Sequence, residues 1–419
     1  MIHSSYYRPI VSPYIGDEVK TEIDRVQDMS AGITLNRTKL EEVGTVGIIS
    51  WRQTSPSVDL SLTQLEYGSL EFYNQLANQA VSSVSVLLTN FKTSAVDVAA
   101  YKTDDDATFL GTVLYPKFRI SGLGLNIGDP DSMVERTFSL VGEDELIYQN
   151  DNKYLINAIK TCVSGETGDV SIVFGASGTD YANYPAPVEN PDASGTYMIR
   201  VTKYSSGTLT EMDSGSASGE YEYTTGTSTL ELHGCAVADV YRVWYSATTY
   251  ISGSDPFTSN TTDAFSIPAE QCSIYLQTSD YVYRLQSIGI DISLDRYDVK
   301  EIGNKEIVAR GVKDVTTSIT LGRILEEYTI EEVLRGVAAT YGLIDVREFL
   351  DDVVLTVYCY STTTKAVGDF LIGYRFIGLS PVSLDAGIPL NDYVTRGVTM
   401  EGEEAMISTD KTTLDAYSG

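Results

Sequence analysis

The stretch VQDMSAGITLNRTKLEEVGTVGI, residues 26 to 48, aligns without a gap against LQSIGIDISLDRYDVKEIGNKEI, residues 285 to 307, at an offset of 259 residues. Ile33 and Leu35 stand opposite Ile292 and Leu294, Arg37 opposite Arg296, Glu42 opposite Glu301, Val43 opposite Ile302 and Gly44 opposite Gly303. Apolar and polar residues alternate in both, which is the two-residue period of a strand with one buried face, and both end at a glycine turn. The pattern predicts Ile33, Leu35, Ile292 and Leu294 on core faces, with Thr34 and Ser293 facing away.

The similarity continues along the chain. Leu60 and Leu62 match Ile319 and Leu321 on a second alternating strand, FRISGLGL from Phe118 resembles YRFIGLSP from Tyr374, and VERTFSLVGEDELI from Val134 resembles VTRGVTMEGEEAMI from Val394. Each copy also holds a helix-like stretch, TQLEYGSLEFYNQLANQ from Thr63 and GRILEEYTIEEVLRGVA from Gly322, which predicts one helix per copy. These matches divide the chain into an arm over 1–19, a first copy over 20–150, an insert over 152–270, a second copy over 275–410 and a C-terminal arm over 411–419. TYMIRVTKY, GEYEYTT, STLELHG and VYRVWYSATTY in the insert read as short strands separated by turns, hence a small self-contained β-sandwich. The fold class predicted is mainly β: a duplicated sandwich or barrel domain with one helix per repeat, plus an inserted β-sandwich.

Composition agrees with that class. Tyr contributes 29 of the 419 residues and aromatics make up 10%, which suits half-buried pleated surfaces. The 58 acidic residues exceed the 29 basic ones, and a formal charge of -29 opposes tight binding to nucleic acid or to an anionic membrane. The start, MIHSSYYRPI, lacks the layout of a secretory signal, and no apolar run is long enough to cross a bilayer, so assembly in a cytoplasm and no membrane insertion are expected.

Candidate chemistry is sparse. His3 and His233 are the only histidines, so no Ser-His-Asp arrangement is visible, and His233 beside Cys235 in ELHGCAV reads as part of a strand and turn. Cys162, Cys235, Cys272 and Cys359 are scattered, with no CxxC pair, and read as buried thiols. GLGLNIG from Gly122 lacks dinucleotide-loop spacing, and Asp104, Asp105 and Asp106 read as a solvated loop. No catalytic, cofactor or metal residue is expected, and no enzyme. Arg37 with Arg296, and Arg136 with Arg396, kept their charge at matched positions, so each is a candidate for pairing between subunits, with packing on its own domain as the alternative.

The element order of each copy, from strand and glycine turn through strand and helix to a final strand entering the acidic GED or GEE turn, resembles the tail tube fold of long-tailed bacteriophages. The resemblance covers about two thirds of the chain. It implies a virion structural protein of the tail: homotrimeric, pseudo-hexameric rings stack into a hollow tube that DNA traverses, with other tail proteins at the tube ends. A hub or distal-tail component of the same fold is the first alternative, and a glycan-binding β-sandwich adhesin the second. Under this reading the polar alternates Thr34, Asn36, Asp59, Ser61, Ser293, Asp295, Ser318 and Thr320 are candidate lumen-facing residues, and ring stacking falls to the turns around Glu41 to Ser57 and Lys300 to Val315.

Overall fold

A computed structural model describes the chain except at residues 1–6, 14–20, 41–49, 54–55, 81, 94, 104–108, 130, 150–152, 190–194, 207, 252–264, 278–279, 283–284, 301–306, 325–328, 337–345 and 389–392. His3, the Asp104 to Asp106 run and the tips of both candidate stacking turns lie outside the described residues.

The first outer segment contains β1 (Tyr7–Pro13), β2 (Thr21–Glu22), β3 (Val26–Thr34), β4 (Arg37–Leu40), β5 (Ser50–Gln53), β6 (Ser57–Leu65), α1 (Glu71–Leu76), β7 (Ser85–Leu87), β8 (Val96–Thr103), β9 (Phe109–Ile127), β10 (Glu135–Gly142) and β11 (Leu146–Gln149). The insert follows, with β12 (Tyr154–Thr161), β13 (Gly168–Val173), β14 (Met198–Ser205), β15 (Thr208–Glu211), β16 (Tyr221–Thr224), β17 (Thr229–Cys235) and β18 (Val240–Ala247). The second outer segment contains β19 (Cys272–Leu276), β20 (Asp280–Tyr281), β21 (Leu285–Lys300), β22 (Ile307–Ile324), α2 (Thr329–Arg335), β23 (Val353–Tyr360), β24 (Phe370–Gly387), β25 (Thr395–Gly402), β26 (Glu404–Ser408) and α3 (Lys411–Ala416).

In the first outer segment the antiparallel order β3-β6-β10-β9 forms one layer, and β2-β1-β8-β9-β11 a second, with the long β9 passing from one to the other. In the second, β21-β22-β25-β24 and β20-β19-β23-β24-β26 repeat those orders strand for strand, with β24 in the place of β9. Even the irregularity in β9 opposite Ser139/Leu140 recurs in β24 between Pro381 and Ser383. Pairing places Gly122 level with Ser383 and Phe118 level with Leu379, an offset of 261. The sequence match of FRISGLGL with YRFIGLSP, at 256, is therefore five residues out of step, and an odd slip would exchange the two faces of the strand. Tyr7–Pro13, within the stretch read as an arm, is the counterpart of β19 and pairs along its length with β8. The C-terminal stretch is likewise a docked helix with Leu414 fully buried.

β9 also pairs with β21, so the chain carries one eight-stranded antiparallel sheet in the order β3-β6-β10-β9-β21-β22-β25-β24. One face of it is apolar: Leu60, Leu62, Phe138, Leu140, Ile319, Leu321 and Met400 are almost wholly buried in a core that runs through both outer segments. β7 pairs with β26, and the Tyr73 and Tyr374 hydroxyls meet at 3.2 Å, so the two segments share further backbone and side-chain contacts. The helices are shorter than the helix-like stretches: Thr63–Leu65 continue β6, Gly322–Ile324 continue β22, and only six and seven residues coil into α1 and α2.

The insert is two sheets, β12-β18-β14-β15 and β13-β17-β16, closed over a core of Ile156, Ile172, Leu230, Leu232, Tyr241 and Val243. Every residue of β18 is buried because its second face rests on the first outer segment. There Trp244 and Leu155 cover Ala99, Tyr101 and Leu114. The Trp244 indole N–H donates to Asp97 Oδ2 at 2.7 Å, and the Tyr101 hydroxyl donates to the Leu155 carbonyl at 2.8 Å. A linker in place of residues 155 to 268 would therefore uncover a buried carboxylate and an aromatic face. In the second segment Tyr358, level with Tyr101, is covered instead by α3, with Leu414 and Tyr417 packed against Tyr358 and Met406.

Candidate assembly surface

The other face of the eight-stranded sheet is polar. Across it run Ser30, Gly32 and Thr34 of β3, Asp59 and Ser61 of β6, Thr137 and Ser139 of β10, Gly122 and Gly124 of β9, Asp291 and Ser293 of β21, Ser318 and Thr320 of β22, Thr399 and Glu401 of β25, and Ser383 and Asp385 of β24. The candidate lumen residues Thr34, Asn36, Asp59, Ser293, Asp295 and Thr320 are exposed, and Ser61 and Ser318 half-buried. The charges in these rows are Asp59, Asp291, Glu401 and Asp385, all negative. Small side chains leave the face flat, and Gly122 would bring a Cβ within 3.3 Å of the Ile292 carbonyl.

The edges of this sheet are β3 and the end of β24. Here the expected burial of Ile33 and Leu35 does not hold: they are 50% and 51% exposed, whereas their counterparts Ile292 and Leu294 are 6% and 2% exposed. The difference has a direct cause, because β21 has β9 beside it while β3 has no strand on its outer side among the described residues. The same contrast recurs at the other edge. Ile388, just past β24, is 79% exposed, and its counterpart Ile127 at the end of β9 is 4% exposed. A third instance lies in the smaller layer: Ile147 of β11 is 67% exposed, whereas Ile407 of β26, paired with Val86 of β7, is 2% exposed. A flat, apolar, unpaired strand edge is a template for adding another strand.

The four arginines separate. Arg136 is wholly buried inside its own segment, so it cannot reach a neighbour and its assignment between subunits is corrected. Its Nε donates to Gln64 Oε1 at 2.7 Å, its Nη1 lies 3.2 Å from both Glu66 oxygens, and Tyr67, Tyr73 and Phe138 surround the guanidinium. Burial is the largest influence and opposes its charge, but Glu66 together with Tyr73, Tyr67 and Tyr374 outweighs it and the pKa is raised overall. Arg396 has the equivalent partner, with Nε 3.2 Å from Glu331 of α2, and Arg323 reaches the same carboxylate at 2.6 Å. Both pairs tie a final strand to an acid beside or within the helix, and Glu66 and Glu331 are the sequence signals that point to them.

Arg296 bridges the two outer segments within the chain. It donates to the carbonyls of Ile120, Phe91 (2.9 Å) and Lys92 (3.3 Å), while burial, then Arg119 and Arg310, pull its pKa down to about 9. Arg37, its counterpart on the free edge, is exposed. Sequence reasoning missed Asp97, fully buried under the insert and accepting from Trp244 and from the Lys117 backbone N–H. All four cysteines are buried free thiols, and the Cys272 and Cys359 sulfurs stand 3.4 Å apart across β19 and β23. Among the described residues no helix is long and apolar enough to cross a membrane.

No protein-family profile and no curated protein matches the chain. Among solved structures it is similar to a chain of "Cryo-EM structure of the anti-feeding prophage (AFP) baseplate, 6-fold symmetrised", at 15% identity over 34% of this chain and 92% of that one, with a TM-score of 0.25.

Proposed function

We propose that the chain is the subunit of a bacteriophage tail tube, a structural protein that turns over no substrate. Two copies of one tube domain lie side by side, three chains close a pseudo-hexameric ring, and rings stack into a virion tail assembled in the host cytoplasm. The observation that carries this reading is the set of matched positions that are buried at the β9–β21 junction and exposed at the free edges. The chain contains one finished junction and two halves of another. A head-to-tail contact of this kind closes a ring when the same rotation is repeated, and three sheets of eight strands would form a barrel of twenty-four.

The internal junction dictates the register of the external one. Ser293↔Gly122, Ile292↔Leu123 and Ile288↔Ile127 translate into Thr34↔Ser383, Ile33↔Leu384 and Met29↔Ile388 between neighbouring subunits. The test is a double variant, Ile33→Cys with Leu384→Cys, oxidised after assembly. Covalent trimers and tubes in the electron microscope are expected; a control with Ile33→Cys and Asp385→Cys, whose Cβ atoms point to opposite faces, should not cross-link. Cross-linking of six chains per ring, or none in assembled tubes, would count against the proposal, and isolated rings without tubes would favour a hub.

With its polar face inward the barrel is lined by Asp59, Asp291, Asp385 and Glu401, which offer phosphates no anchor. Assembled wild-type tubes should not retain duplex DNA at physiological salt. Tubes carrying Asp59→Lys and Asp291→Lys should retain it with an affinity that falls steeply as salt rises. Retention by the wild type, measured by co-sedimentation, would contradict an acidic channel.

A further inference from the structure

The outer sheet of the insert holds a group of side chains that the assembly reading does not use. Glu222 of β16 and Glu231 of β17 are directly paired across the strands. Two like charges in that position are destabilising, and neither forms an ion pair with a lysine or arginine among the described residues. His233 follows on the same face of β17 and is only 6% exposed. Its Nδ1 lies 3.0 Å from Asp169 Oδ1, which the irregularity of β13 between Gly168 and Val170 brings opposite the ring. The other nitrogen, Nε2, is buried with no hydrogen-bond partner. Donor atoms of Glu222, Glu231 and His233 all lie within 4.8 Å of one another.

We propose that Glu222, Glu231 and His233 bind a divalent first-row transition cation, with zinc as the reference ion. Nε2 and one oxygen from each glutamate are the ligands. One imidazole with two carboxylates is a mixed nitrogen and oxygen donor set that such ions accept, whereas an all-oxygen shell would suit calcium or magnesium. Asp169 is the positioning residue: by accepting from Nδ1–H it fixes the tautomer that presents Nε2, the usual outer-shell arrangement of a ligating histidine. A cation would convert the repelling Glu222–Glu231 pair into ligands and satisfy the orphaned nitrogen in one step. It would also tie β16 to β17, with β13 joined through Asp169, and so stiffen the insert's outer sheet.

The experiment uses the full chain, stripped of metal with chelator and titrated calorimetrically with zinc chloride. One zinc per chain is expected, with an accompanying rise in the insert's unfolding temperature. Asp169→Asn should weaken binding about 10- to 100-fold, and His233→Ala should abolish it. Glu222→Gln and Glu231→Gln change carboxylates that are not buried in the core, so they keep the fold and should each weaken binding by at least about tenfold. Absence of stoichiometric zinc uptake, uptake unaffected by both glutamate variants, or preference for calcium over zinc would each overturn the assignment. Tube assembly plays no part in the readout, so the result is independent of the ring proposal.

Discussion

Ile33→Asp is expected to abolish assembly while leaving the subunit folded. Ile33 is already half exposed in the single chain, so the substitution should change subunit stability by no more than about 0.5 kcal/mol. In a ring it would place a carboxylate in an apolar seam beside Leu384 of the neighbour. The same change at the matched position, Ile292→Asp, falls inside the finished junction, where the side chain is 6% exposed. It should cost on the order of 4 kcal/mol or more and yield misfolded protein. Sedimentation for assembly and urea unfolding for stability separate the two. Equal destabilisation by both variants, or normal tubes from Ile33→Asp, would remove the argument from matched positions.

Arg136→Ala should be among the most damaging single changes in the first outer segment. It leaves Glu66, wholly buried, without the guanidinium that neutralises it, although the Tyr67 and Gly68 backbone N–H groups still donate to one oxygen at 2.9 Å. Breaking a buried pair in this way costs about 3–5 kcal/mol. Arg396→Ala should cost less, about 1–2 kcal/mol: the arginine is partly exposed, and Arg323 remains on Glu331 at 2.6 Å. The midpoints of denaturant unfolding measure both, and a larger loss for Arg396→Ala than for Arg136→Ala would contradict this account of the buried pair.

Most strand positions, one helix in each outer segment and the strands of the insert were legible because alternation, turn residues and self-similarity act locally; β1 and α3, in the stretches read as arms, were not. TYMIRVTKY and VYRVWYSATTY correspond to β14 and β18. What could not be read was the identity of the neighbour on each side of a strand. Ile33 and Ile292 carry the same alternating pattern, and alternation alone does not say whether another strand lies alongside: β21 has β9 beside it, and β3 has only β6 among the described residues. Arg136 was misread for a related reason: a charge retained at matched positions suggested a surface contact, but the acid that buries it lies 70 residues earlier. The alignment of Phe118 with Tyr374 failed because two strands with similar local composition can slide past one another, and only the cross-strand partners fix their step.

The outward layers of the two outer segments have unequal covers, a whole β-sandwich over Tyr101 and a six-residue helix over Tyr358. Around a closed ring those covers would alternate, so the exterior would show three large knobs separated by three shallow saddles while the bore kept nearly sixfold texture. Anything gripping the tube from outside would meet threefold scenery, and cargo inside would not. In such a ring the same strand positions would carry a complete module over one segment and a short helix over the next, so two very different covers would serve one outer layer.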